Sequence, residues 1–152
     1  MPREYAFVDE WEVEAPILSV FRALCDMTTY PDWWKPVYLA VQADGPLRVG
    51  RVARERFKGR LRHELSTQSE IVRLEPPRQF EVEVAGDLSG RGIWTLSKLA
   101  GGRVLVRSDW CVVLSPLQRT AFHWSHNWAI DRAIEGLEPY ARASASVPVS
   151  ST

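Results

Sequence analysis

The residue best suited to acid–base chemistry is His63, which shares one strand face with Leu65, Thr67, Ser69 and Ile71. An imidazole near neutrality can serve as general base or hydrogen-bond a ligand carbonyl or phenol. The competing role for His63 is structural, as a histidine satisfied by a neighbour at a cavity rim. Asp9 and Ser108 interrupt otherwise apolar alternations, and burying such groups is costly unless they are paired. They can anchor a ligand, or bond to each other, to an arginine or to backbone across adjacent strands.

Glu55 is the single acid in a run from Arg48 to Arg62 that carries seven basic residues. If its strand turns it inward it becomes a further polar point. The run itself suits an acidic protein partner or a phosphate, or is simply a solvated face paired with Glu64, Glu70, Glu81 and Glu83. His123 and His126 are three residues apart, but no third ligand stands at a metal-binding spacing, so no metal and no cofactor is expected. No glycine-rich phosphate loop, nucleophile elbow or cysteine–metal spacing occurs. Any catalysis must therefore come from a shaped cavity and a few acid or base groups.

The elements that position these residues follow from periodicity. Tyr5, Phe7, Asp9, Trp11 and Val13 alternate with outward residues, a period of two that predicts a strand with its odd positions inward. Pro16 opens a helix over Ile17 to Asp26, with Ile17, Val20, Phe21 and Leu24 as its apolar stripe. A second short helix or tight turn follows at Thr29 to Trp34. Strands are predicted at about 36–42, 50–57, 62–74, 79–86, 91–99 and 103–113, separated by glycine- and proline-bearing turns.

Ser115-Pro116-Leu117-Gln118 has the form of a capping box, so a closing helix begins there and is expected to run to about Ala141. On it, Leu117, Ala121, Trp124 and Trp128 fall on one side and Ile130, Ile134 and Leu137 on another. The facing of the strand through Arg54, Glu55, Arg56 and Phe57 depends on the turn at Lys58-Gly59: an even loop turns the arginines inward, an odd one Glu55 and Phe57. Ala53 and Phe57 favour the second.

Composition bounds the class. The chain has 152 residues, 45% hydrophobic, with seven tryptophans, enough for one sizeable core and too apolar for global disorder. Acids and bases balance at 19 each, so net charge does not advertise nucleic acid or a membrane surface. Cys25 and Cys111 cannot form a multi-bridge framework, no stretch reaches the length of a membrane span, and no apolar leader core opens the chain. These features predict a soluble, cytoplasmic protein. The expected organisation is a single ligand-binding domain over residues 1–143 and a flexible tail over 144–152.

The segments Trp11-x-Val13-x-Ala15-Pro16, Val20-Phe21-x-x-Leu24-x-Asp26 and Tyr30-Pro31-x-Trp33-Trp34, with Gly86-Asp87-Leu88-x-Gly90-x-Gly92-x-Trp94-x-Leu96 and Val104-x-Val106-x-Ser108-x-Trp110-x-Val112, resemble the START-like (SRPBCC) superfamily that contains polyketide cyclase/dehydrase-type proteins. The resemblance implies an α+β helix-grip fold: a curved antiparallel sheet of about seven strands around a long C-terminal helix, with two short helices after the first strand. It also implies a cavity between sheet and helix, of the kind such proteins use for lipids, hormones, polyketides or aromatic compounds.

On that frame the ring contacts expected to line the cavity are Trp11, Trp34, Phe57, Phe80, Trp94, Trp110, Trp124 and Trp128. Asp9, Glu55, Ser108 and Asn127 are its polar points, and His63 is its acid/base. Three functions stay open. One is a binder of a small hydrophobic or aromatic ligand, another a polyketide cyclase/aromatase-type enzyme, and the third a protein-interaction module using the basic hairpin 48–62.

Overall fold

The structure, a computed structural model, describes residues 2–60 and 64–146. Seven strands form one antiparallel sheet: β1 (Arg3–Glu14), β2 (Tyr38–Ala43), β3 (Val52–Lys58), β4 (Glu64–Glu75), β5 (Gln79–Gly86), β6 (Ser89–Lys98) and β7 (Arg103–Leu114). Their order is β1-β7-β6-β5-β4-β3-β2, so each strand from β2 to β6 pairs with the next in sequence and β1 closes the far edge on β7. Short turns between alternating runs dictate such a meander. Register shifts in β2 between Tyr38 and Ala40 and in β4 between Ile71 and Arg73 bend the sheet.

The helices are α1 (Ile17–Cys25), α2 (Tyr30–Trp33) and α3 (Pro116–Ser146), with a 3₁₀ turn at Met27–Thr29 between the first two. In α1 the residues Val20, Phe21, Ala23, Leu24 and Cys25 are buried. Asp26 ends it and caps the next turn, its Oδ1 accepting from Thr28 N at 3.3 Å and Thr28 Oγ1 at 2.6 Å. The odd residues of β1 face inward as their alternation predicted. The helix-grip α+β architecture is thus the one expected.

The capping box is formed: Gln118 N donates to Ser115 Oγ at 3.2 Å, and Ser115 N donates to Gln118 Oε1 at 2.9 Å. Helix α3 continues past Ala141 to Ser146, so the first three residues of the expected tail are helical. Two halves of α3 behave differently. In the C-terminal half Ala133, Leu137 and Ala141 are fully buried, and Arg142 donates to the Glu14 carbonyl at 2.6 Å and to its carboxylate at 2.8 Å. Gly136 permits the closest approach, since a Cβ there would stand 1.7 Å from the Trp33 carbonyl oxygen. The N-terminal half stands off the sheet, and Leu117 near its start is 92% exposed.

Candidate functional site

A cavity of about 520 Å³ lies between the sheet's inner face and the N-terminal half of α3. Side-chain volume accounts for it. Ala121, Ser125 and Ala129 recur every four residues along α3 and present one face to the cavity, where small side chains cannot fill the space opposite the strands. The next residue in the series, Ala133, is already closed into the core. The sheet side is aromatic and aliphatic, as small-molecule pockets usually are, with a few polar groups among them.

One polar end is built by β3 and β4. Pairing places Glu55 opposite Val41 on β2 and Thr67 on β4, with Ala53, Glu55 and Phe57 inward, the alternative that Ala53 and Phe57 favoured. Glu55 is 6% exposed. Its Oε2 accepts from Thr67 Oγ1 at 3.4 Å, while its Oε1 is buried with no hydrogen-bond partner among the described residues. Burial pushes the carboxyl up from the usual 4.5 to about 7, against the opposing pull of the Ser69 and Thr67 hydroxyls. Two phenols share this end. Tyr30 and Tyr38 are both held well above the ordinary phenol range, first by burial and further by neighbouring ionisable groups, Glu55 among them. Tyr30 donates its hydroxyl to the Leu24 carbonyl at 2.5 Å.

A second polar group comes from β1 and α3. His126 borders the cavity, and its Nε2 lies 2.7 Å from Asp9 Oδ2. The imidazole packs against Phe7 and Phe122, with ring centroids at 5.0 and 5.7 Å. Asp9 pairs with Ser108 in the β1–β7 register, yet its carboxylate is committed to His126, and the buried Ser108 faces the cavity. Among the described residues no group of three or more His, Cys, Asp or Glu could hold a metal ion.

Of the residues singled out from the sequence, Trp34, Glu55, Phe57, Trp94, Ser108 and Trp110 line the cavity together. Trp11 and Phe80 stand behind Trp94, the first edge-on at 6.1 Å and the second stacked at 6.1 Å, so they support the wall without forming it. The helix face differs from the one expected. Trp124 is 43% exposed, with the Arg60 guanidinium 4.2 Å over its ring, and Asn127 is exposed, 3.3 Å from His123. Trp128 packs partly buried against the core, outside the cavity lining. The small-residue stripe sits about one residue, 100°, round the helix from Trp124 and Trp128, and the face that joins it to Leu137 is the one that docks. His63 lies outside the described residues.

Tyr30, Tyr38 and His126 went unrecognised as cavity residues. Tyr30 had a legible signal, four residues before Trp34, which caps the same short helix; Tyr38 and His126 acquire their place through long-range pairing. The basic hairpin is partly turned to intramolecular use. Arg51 is buried and paired with Asp26 at 3.1 Å, Arg48 donates to the Asp44 and Pro46 carbonyls at 3.0 and 3.1 Å, and Arg56 faces Glu64 at 3.8 Å.

A sequence model of the family described as polyketide cyclase/dehydrase and lipid transport matches residues 6–142. Comparison with curated proteins gives no match. Among solved structures, the chain is similar to the Zhui aromatase/cyclase from Streptomyces sp. R1128, with a TM-score of 0.76, 14% identity, and coverage of 97% of this chain and 99% of that one. A START superfamily protein from Mycobacterium smegmatis gives a TM-score of 0.72 at 16% identity over 88% and 97% of the two chains. The di-domain ARO/CYC StfQ from the steffimycin biosynthetic pathway gives 0.76 at 12% identity over 95% of this chain and 53% of that one. The chain spans about half the length of such di-domain proteins. At these identities the likeness is one of fold. Among the described residues no helix is long and apolar enough to cross a membrane.

Proposed function

The chain belongs to the polyketide cyclase/dehydrase and lipid transport family, and from that premise we propose that it binds a small, largely apolar molecule, lipid- or polyketide-like, between its sheet and α3. The observation that carries this reading is the cavity of about 520 Å³, walled by Trp34, Phe57, Trp94 and Trp110 with one buried carboxylate at its end. Flat rings offer a ligand large contact area at little entropic cost. A thermal-shift screen of fatty acids, flavonoids, sterols and aromatic polyketides tests it. Binding raises the melting temperature by mass action, and a ligand in this cavity also changes tryptophan emission. Uniform silence from the folded protein overturns the reading.

A second reading, cyclase chemistry, is favoured by Glu55. A carboxyl titrating near 7 is present in both forms at neutral pH, which suits a general acid or base. Its neutral form can donate to a ligand carbonyl oxygen, and its carboxylate can take a proton from an adjacent methylene, while the cavity folds the chain so that its ends meet. Incubation with a poly-β-ketone mimic tests this. Product profiles identical for wild type and Glu55→Gln remove Glu55 from any such mechanism.

A further inference from the structure

The bare oxygen of Glu55 indicates what the ligand carries, an inference that rests on the cavity-binding reading above. Neither adjacent phenol serves Oε1, since Tyr30 is committed to the Leu24 carbonyl and Tyr38 makes no hydrogen bond to it, and the Thr67 and Ser69 hydroxyls that steady the carboxylate leave this oxygen without a donor among the described residues. Among the described residues no Lys, Arg or His pairs with Glu55 either. A buried carboxylate oxygen with no donor is costly, and such groups are normally satisfied by a protein group, an ordered water or a bound ligand.

The surroundings narrow the choice of donor. Rings in mutual contact cluster at this end: Tyr30 and Tyr38 at 4.8 Å, Tyr30 and Trp34 at 5.0 Å, Trp34 and Tyr38 at 5.0 Å, and Tyr38 and Phe57 at 5.4 Å. The series runs on from Trp34 to Trp94 at 6.4 Å. Aromatic faces carry negative potential and attract cations, so this wall adds to the pull of a carboxylate on an ammonium and opposes an anion. A neutral donor would satisfy the oxygen but gain nothing from the rings.

We propose that the cavity takes an aromatic or apolar molecule bearing a basic nitrogen, its ammonium on Glu55 against Tyr30, Trp34 and Tyr38 and its body along the rings toward Trp94. The ammonium supplies the counter-charge that no described residue brings to Glu55. It also keeps its remaining hydrogens for the ring faces.

Isothermal titration calorimetry at pH 8 with 2-(2-naphthyl)ethylamine, the matched neutral alcohol 2-(2-naphthyl)ethanol and the anion 2-naphthylacetate tests the assignment. The expected order is amine tighter than alcohol by at least about tenfold, with the anion weakest. Glu55→Gln, isosteric and uncharged, brings the amine down to the level of the alcohol and leaves the alcohol unchanged. Glu55→Asp, with the carboxylate withdrawn by one methylene, keeps part of the preference. If wild type binds the alcohol or the anion as tightly as the amine, the amine assignment falls and the cavity reading stands. A folded Glu55→Gln protein that still prefers the amine also overturns the assignment. If the folded wild type binds none of the three, the amine assignment falls, and the cavity reading falls with it only when the thermal-shift screen is silent as well.

Discussion

Asp9 on β1 and His126 on α3, 117 residues apart, meet in a hydrogen bond of 2.7 Å between a carboxylate oxygen and an imidazole nitrogen. The bond ties the raised half of α3 to the edge strand at the cavity border, where the touching rings of Phe7 and Phe122 pack together against the imidazole. Removing one partner strands the other in a part-buried site. Asp9→Ala is expected to cost about 1–2 kcal/mol in urea unfolding at pH 7. A double-mutant cycle of Asp9→Asn with His126→Gln is expected to show a coupling of about 1 kcal/mol, and additivity would mean the bond contributes nothing.

Glu55 links stability to pH with the opposite sign from a paired carboxylate. Its folded value of about 7 lies above the ordinary 4.5, so between those limits the folded protein holds a proton that the unfolded chain releases. Its contribution to stability is therefore greatest below about pH 4.5, falls as pH rises to about 7, and is flat above. At about 1.4 kcal/mol per pH unit the loss is on the order of 3 kcal/mol. Glu55→Gln has no such slope, and the difference between wild-type and variant unfolding free energies from pH 4 to pH 8 isolates it. The variant is expected to be the more stable protein at pH 8.

Gly136→Ala is expected to destabilise by about 2–4 kcal/mol, because the added methyl carbon meets the backbone oxygen of Trp33, which cannot turn aside like a side chain. The urea midpoint measures this, and a loss under about 0.5 kcal/mol would show that α2 shifts freely from α3.

Trp124 and Trp34 are expected to separate surface from site. Trp124→Ala, at a largely exposed position, is expected to cost under about 1 kcal/mol and to leave ligand-induced emission changes intact. Trp34→Phe loses the 2.7 Å bond from its Nε1 to the Ala129 carbonyl, which would cost about 1–3 kcal/mol, and removes a cavity fluorophore. Titration of both variants with 2-(2-naphthyl)ethanol, followed by tryptophan emission, distinguishes them; a response lost only with Trp124 would place the ligand elsewhere.

Local chemistry made much of the fold legible. The alternation of Tyr5 to Val13 names the inward face of β1 because the strand period is two, and Ser115 with Gln118 names the start of α3 because orphan backbone donors need partners. The aromatic residues of α3 do not mark its docking face. Trp124 and Trp128 share a face, but docking is decided by how closely backbones approach, and the stripe of Ala121, Ser125, Ala129 and Ala133 together with Gly136 sets that face. The facing of β3 was open because one residue more or less in the Lys58-Gly59 turn reverses every side chain on it. Pairing of Glu55 with Thr67 decides it.

By itself, the sequence determined element order, sheet-and-helix class, the β1 face and the cap of α3, all consequences of interactions spanning a few residues. Only the tertiary structure decided that Glu55 is buried with a bare oxygen, that Tyr30 and Tyr38 crowd it, and that Asp9 finds His126 and not Ser108. Those outcomes depend on which surfaces, distant along the chain, are pressed together and dried, and desolvation is a property of the assembled neighbourhood that no short stretch of residues carries.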